Sequence, residues 1–205
     1  MALPKVIGTE VEYGITVRNQ ADFNPVLSSS SLINAYAGPR SRIQWSFDEE
    51  SPGRDARGYG YEDAMPGEFE SGLVNVVLTN GARLYVDHAH PEFSTPETVN
   101  PLQATLYDKA GEVVMARAVA AHQARLPESQ LVLVHKNNTD GKGASYGAHE
   151  NVLLDRQLGF GRVIAALPTF LVTRQVISGS GKVGDEHGRG SADFQITQRA
   201  DHFEE

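Results

Sequence analysis

Ile7-Gly8-Thr9-Glu10-Val11-Glu12-Tyr13-Gly14-Ile15-Thr16-Val17 sets the fold class. Ile7, Thr9, Val11, Tyr13 and Ile15 alternate with Gly8, Glu10, Glu12 and Gly14. A period of two sends the first set to one face of a strand and the second to the other. Val6 to Val17 is therefore expected as a strand whose Glu10 and Glu12 share a face, backed by an apolar one.

Downstream, Leu73 to Leu78 and Arg83 to Asp87 flank Asn80-Gly81, a strong hairpin signal. Pro101 to Leu126 is expected as a helix, with Asn100 as its cap, Pro101 in its first turn and Leu102, Leu106, Val113, Val114 and Val119 as its apolar stripe. Leu131 to Val134, Ala148 to Leu154, Val163 to Val172 and Phe194 to Thr197 are further expected strands. Residues 38–72 break the pattern with Gly38-Pro39, Pro52-Gly53, Gly58, Gly60 and Pro66-Gly67, and a long mobile insertion is expected there. The sum is an α+β domain built on mostly antiparallel strands.

The chain has 205 residues, and 18 Lys+Arg against 26 Asp+Glu leave a net charge of −8. That length suffices for a buried core. With no cysteine, disulfides, thiolate metal sites and a cysteine nucleophile are excluded. The acidic balance argues against a general nucleic-acid binder. No apolar run approaches the roughly 20 residues that span a bilayer, and Met1 to Lys5 shows no leader, so no membrane partner and a cytoplasmic location are expected.

Three elements carry candidate chemistry. Glu10 and Glu12 share one strand face. Arg83, Tyr85 and Asp87, at every second position, share another, with Leu84 and Val86 behind them. The segment His90-Pro91-Glu92-Phe93-Ser94-Thr95 follows as an acidic turn. Carboxylates without thiols suit a hard cation such as Mg²⁺, and an arginine on the same face suits a phosphate. Asp87 could serve as ligand, nucleophile or base. In Tyr146 to Asn151, His149 and Asn151 would share a strand face, with Glu150 opposite. Gly179-Ser180-Gly181-Lys182 lacks the spacing of a phosphate-binding loop, since Val183 follows the lysine.

Gly8-Thr9-Glu10-Val11-Glu12-Tyr13-Gly14, Arg83-Leu84-Tyr85-Val86-Asp87, His90 to Glu97, and Lys136 to Asp140 with His149-Glu150-Asn151 together resemble the family of Pup ligases and Pup deamidases/depupylases. These are relatives of glutamine synthetase and γ-glutamyl-cysteine ligase. The resemblance implies a curved antiparallel sheet with helices on one side, binding ATP and Mg²⁺, with Pup and pupylated proteins as partners and a monomeric state. It implies Asp87 as the catalytic carboxylate, Glu10, Tyr85, Glu92 and His149 at metal positions, and Arg83, Thr95 and Arg199 at nucleotide positions. Thr9, Val11 and the 38–72 insertion resemble the deamidase/depupylase branch, which implies hydrolysis of Pup's C-terminal glutamine and of Pup–lysine bonds. The alternative is an ATP-consuming Pup–protein ligase. Family members are longer, so this chain is expected to be an N-terminal part of the catalytic domain without its C-terminal remainder.

Overall fold

The computed structural model describes residues 6–38, 75–140, 143–186 and 192–202. The expected insertion at 38–72 lies, apart from Gly38, outside the described residues. The chain divides into two compact units: residues 1–136 with 146–152, and residues 137–145 with 153–205.

In the first unit the opening alternation becomes two strands, β1 (Ile7–Glu12) and β2 (Gly14–Arg18), rather than one. Tyr13 is the hinge, its amide donating to the Pro91 carbonyl at 3.0 Å. The parity survives the break, because Val11, Tyr13, Ile15 and Val17 are all buried. Next comes α1 (Pro25–Ala37), where the sequence reading assigned nothing. Asn24 caps it by accepting from the Val26 and Leu27 amides, and Pro25 opens it. Its run of serines hides an apolar face in which Val26, Leu32 and Ile33 are fully buried.

Strands β3 (Asn75–Val77), β4 (Arg83–Asp87) and β5 (His90–Ser94) form an antiparallel meander. The segment from His90, expected as a turn, is thus a full partner of β4. The turn is only His88-Ala89. β5 also pairs with β1, and β1 with β7 (Ala148–Val152), giving the open order β3-β4-β5-β1-β7. Among the described residues, β6 (Leu131–His135) pairs with β2 alone.

Helix α2 (Pro101–Gln123) forms as expected, capped by Asn100. Its buried stripe is Gly111, Met115, Ala118 and His122. Of the expected stripe, Val114 and Val119 pack against the core, whereas Leu102, Leu106 and Val113 are exposed. The spacing of three and four from Gly111 selects the inward side, and the three outward residues lie off it. Helices α1 and α2 pack on each other and on the face of the sheet that carries Leu84, Val86 and Phe93. The result is α+β, with helices on one side of a mostly antiparallel sheet.

The second unit holds α3 (Phe160–Thr173), α4 (Gln175–Ser178) and a hairpin of β8 (Ser180–Val183) with β9 (Phe194–Thr197). The strand expected over Val163 to Val172 is helix α3. Its apolar run is as long as a buried strand's, and composition alone does not separate the two. The α3–α4 stretch Phe160–Ser178, 19 residues long, is by length and composition apolar enough to cross a membrane. No contiguous apolar run of that length lies within it, because Arg162, Pro168, Thr169, Thr173, Arg174 and Gln175 interrupt the stretch. A core helix of a longer protein has the same composition.

Candidate active site

Register builds the site. Residues directly opposite one another in paired strands project to the same face of the sheet. Arg83 pairs with Ser94, Ser94 with Glu10, and Glu10 with His149. One step along, Tyr85 pairs with Glu92 and Glu92 with Glu12. A further step pairs Asp87 with His90. Four strands thus deliver Arg83, Tyr85, Asp87, His90, Glu92, Ser94, Glu10, Glu12 and His149 to one face, opposite the face the helices cover. Asn151 lies on it too, with Glu150 turned away, as the sequence reading expected.

Glu92 is the centre. It is 1% exposed, and its Oε1 accepts from the Tyr85 hydroxyl at 2.7 Å, while Ser94 Oγ donates to that hydroxyl at 3.2 Å. Its Oε2 is buried with no hydrogen-bond partner among the described residues. Burial pushes the Glu92 carboxyl up to about 8, with the charges of Asp87, Glu12 and Glu10 adding to the rise against the Tyr85 hydrogen bond. Burial also drives the Tyr85 phenol far above its usual value, helped by Glu92, so Tyr85 is a neutral donor here. Glu12 is held below its ordinary value. Burial works against that, but the His90 contact, the Gly147 backbone and the two imidazoles outweigh it.

Histidines flank the acids. His90 Nδ1 stands 3.3 Å from Glu12 Oε2, and its ring lies 4.6 Å from that of Tyr146. His149 Nδ1 is 3.2 Å from Glu10 Oε2, and His88 Nδ1 is 2.9 Å from Asp87 Oδ2. Gly147 leaves room for this packing, since a Cβ there would lie 2.8 Å from both Glu12 Oε1 and His149 Nε2.

Among the described residues, two groups of acidic and histidine side chains offer ligand atoms within 4.8 Å of one another: Glu10 with Glu92 and His149, and Glu12 with Asp87 and Glu92. They share Glu92. An unpartnered buried carboxylate oxygen amid like charges is the arrangement that a hard cation would neutralise, so these residues fit such a group. At the edge, the Arg83 guanidinium lies 4.4 Å over the Tyr85 ring, and its Nε donates to Asn75 Oδ1 at 3.4 Å.

Of the residues expected from sequence, Asp87, Glu10, Glu92, His149, Tyr85 and Arg83 share this face. Tyr85 stands beside Glu92 as the donor to its Oε1. Thr95 follows β5 directly and is tied to β1, its Oγ1 accepting from the Thr9 amide at 2.9 Å and its own amide donating to the Thr9 carbonyl at 2.8 Å. Arg199 belongs to the second unit, where its amide donates to Thr197 Oγ1 at 3.3 Å. The sequence reading did not single out His88, and it quoted His90, Ser94 and Gly147 only within longer segments, without a role of their own. A two-residue turn after Asp87 would have revealed the first three by register, but His-Ala carries none of the usual turn signals.

The model of the family described as Pup-ligase protein matches residues 5–205. A depupylase of Acidothermus cellulolyticus is 52% identical, the match covering 98% of this chain and 41% of that protein. A Pup deamidase/depupylase of Mycolicibacterium smegmatis is 47% identical over 98% of this chain and 42% of its own. A Pup–protein ligase of Paenarthrobacter aurescens is 47% identical over 63% of this chain and 29% of its own. Among solved structures, the complex between prokaryotic ubiquitin-like protein Pup and its ligase PafA matches with a TM-score of 0.71 and 27% identity, covering 97% of this chain and 35% of that one. The chain thus spans less than half the length of the curated relatives it matches.

Proposed function

Because the chain belongs to the Pup-ligase protein family, we propose that the protein carrying it is a hydrolase acting on Pup. It deamidates Pup's C-terminal glutamine and cleaves the bond between Pup and a substrate lysine. One observation carries the choice between branches. The depupylase relative aligns over 98% of this chain, while the ligase relative aligns over only 63% of it.

Mg²⁺ and ATP belong to the proposal as cofactors. Glu10, Glu92 and His149 would hold one cation, and Glu12, Asp87 and Glu92 offer a second group; Arg83 and Thr95 would face the nucleotide, with Arg199 assigned there by family resemblance. When bound, the metal supplies positive charge that polarises an amide carbonyl. The chain's own residues supply the rest. Asp87, at the end of β4, is the carboxylate that attacks the amide carbon or takes the proton from water. Tyr85 fixes one oxygen of Glu92 and leaves the other aimed into the acid cluster. His149 and His90 hold Glu10 and Glu12 in place. A cytoplasmic location and a monomer complete the reading, and cell fractionation and light scattering test them.

The deciding experiment incubates the full-length protein with Mg-ATP and Pup ending in glutamine, and follows the amide-to-acid change by mass spectrometry. Conversion is expected, with a loss of several powers of ten in Asp87→Asn. Conjugates formed from Pup ending in glutamate and a lysine-bearing protein, with no deamidation, would make it the ligase.

A further inference from the structure

The β4–β5 turn places two non-glycine residues in succession in the left-handed region, His88 at φ 43° and Ala89 at φ 72°. Such a turn ordinarily takes Asn-Gly, since a side chain there is strained. Ala89 has a packing reason. It is fully buried, and its carbonyl accepts from Ser29 Oγ of α1 at 2.7 Å. His88 has none, its side chain being 61% exposed. What it does have is Asp87, whose Oδ2 lies 2.9 Å from its Nδ1.

In a continuing strand, residues 87 and 88 would point to opposite faces. The left-handed backbone at His88 breaks that alternation and lets the imidazole meet the carboxylate before it. Asp87 ends its strand at the turn, with ligand atoms of Glu12 and Glu92 within 4.8 Å of its own. Strain retained at a site, with no packing reason, points to a role there.

We propose that His88 is a positioning residue for Asp87. With its proton on Nδ1, the ring donates to one carboxylate oxygen, fixes the side-chain rotamer and leaves the other oxygen directed at the reacting amide. The role rests on the hydrolase reading of the site, since Asp87 is the group that reacts there.

The test uses the full-length protein with Mg-ATP and Pup ending in glutamine, comparing His88→Gly with His88→Asn. Glycine accepts the left-handed backbone without strain and removes the donor. Asparagine tolerates the same backbone and offers an amide N–H in place of Nδ1. The expected result is a fall of about tenfold in kcat for His88→Gly, with KM and melting temperature held, and recovery of most of it in His88→Asn. Wild-type kcat in His88→Gly would overturn the proposal, as would equal loss in both variants. Crystal structures of wild type and His88→Gly give a readout independent of turnover: one Asp87 rotamer is expected in the first and a released or split one in the second. An inert wild type with that rotamer change would refute the hydrolase reading and leave the positioning contact standing. An unchanged rotamer would refute the contact itself.

Discussion

Gly147 shows how the site constrains a residue that takes no part in chemistry. A methyl group there would press on Glu12 Oε1 and His149 Nε2, the movable ends of side chains rather than backbone. Gly147→Ala is therefore expected to leave the melting temperature within a degree or two, roughly, while weakening Mg²⁺ binding by about tenfold, read by calorimetric titration. Glu92 gives a pH signature. Its folded value of about 8 lies above the ordinary 4.5, so between those limits the folded protein keeps a proton that the unfolded chain has lost. Stability of the metal-free protein should then fall as pH rises through that window, by up to about 1.4 kcal/mol for each unit the two values differ. Glu12 shifts the other way and loses its contribution below that window, while His122, held below its ordinary 6.5 by burial and Arg125, adds an opposing rise, so the difference between wild type and Glu92→Gln isolates the trend. Thermal melts in chelator at about pH 5 and about pH 8 should show the decline in wild type relative to Glu92→Gln. A wild-type profile parallel to that of Glu92→Gln would mean Glu92 is ionised without metal. Residue parity was legible in the sequence: Glu10 with Glu12, and Arg83 with Tyr85 and Asp87. What brings Glu92 and His149 beside Glu10 and Glu12 is register between strands far apart in the chain, and no local pattern encodes that.

At the scale of elements, the seat of α2 on β5 depends on one close approach. Gly111 is buried mid-helix, where glycine costs about 1 kcal/mol against alanine. A Cβ there would lie 2.4 Å from Phe93 Cδ1, and Phe93 is itself buried beside Glu92. Gly111→Ala should thus destabilise by about 1–3 kcal/mol from overpacking, despite the gain in helix propensity, and chemical denaturation measures it. Stabilisation instead would show that the ring swings away freely. The same scale explains which elements could be read beforehand. α2 announces itself by Asn100-Pro101 and its length. α1 does not, because Ser28 to Ser31 look like loop residues, yet Ser28 and Ser29 are buried and Ser29 holds the turn beyond Asp87. β1 and β2 read as one strand because Tyr13 keeps the alternation through the break. α3 read as a strand because Val163 to Val172 carries β-branched and aromatic residues among its alanines and leucines, and length and neighbours decide such cases.

At the scale of the molecule, α3 sets a problem that the described residues do not solve. It has no buried residue, although Phe160, Ile164, Leu167, Phe170 and Val172 are all large and apolar. Fully burying one such side chain is worth about 1.5–3 kcal/mol, and a contiguous apolar patch of this kind marks a surface that something covers. The curated relatives are more than twice as long as the stretch they share with this chain, so the covering is expected from the rest of the full-length protein. Ile164→Glu with Phe170→Glu should then leave the melting temperature of the 205-residue chain essentially unchanged and lower its binding of a hydrophobic dye. In the full-length protein the same pair should lower the melting temperature by several degrees, on the order of 3–6 kcal/mol if both sites are buried. Equal melting with and without the substitutions in the full-length protein would show that α3 stays exposed there. Binding of the full-length protein to lipid vesicles, abolished by the pair, would assign the face to a membrane instead. The covered-face outcome places α3 in a core that the two halves of the protein build together, and it explains why an apolar helix in this chain reads by composition as one able to span a bilayer.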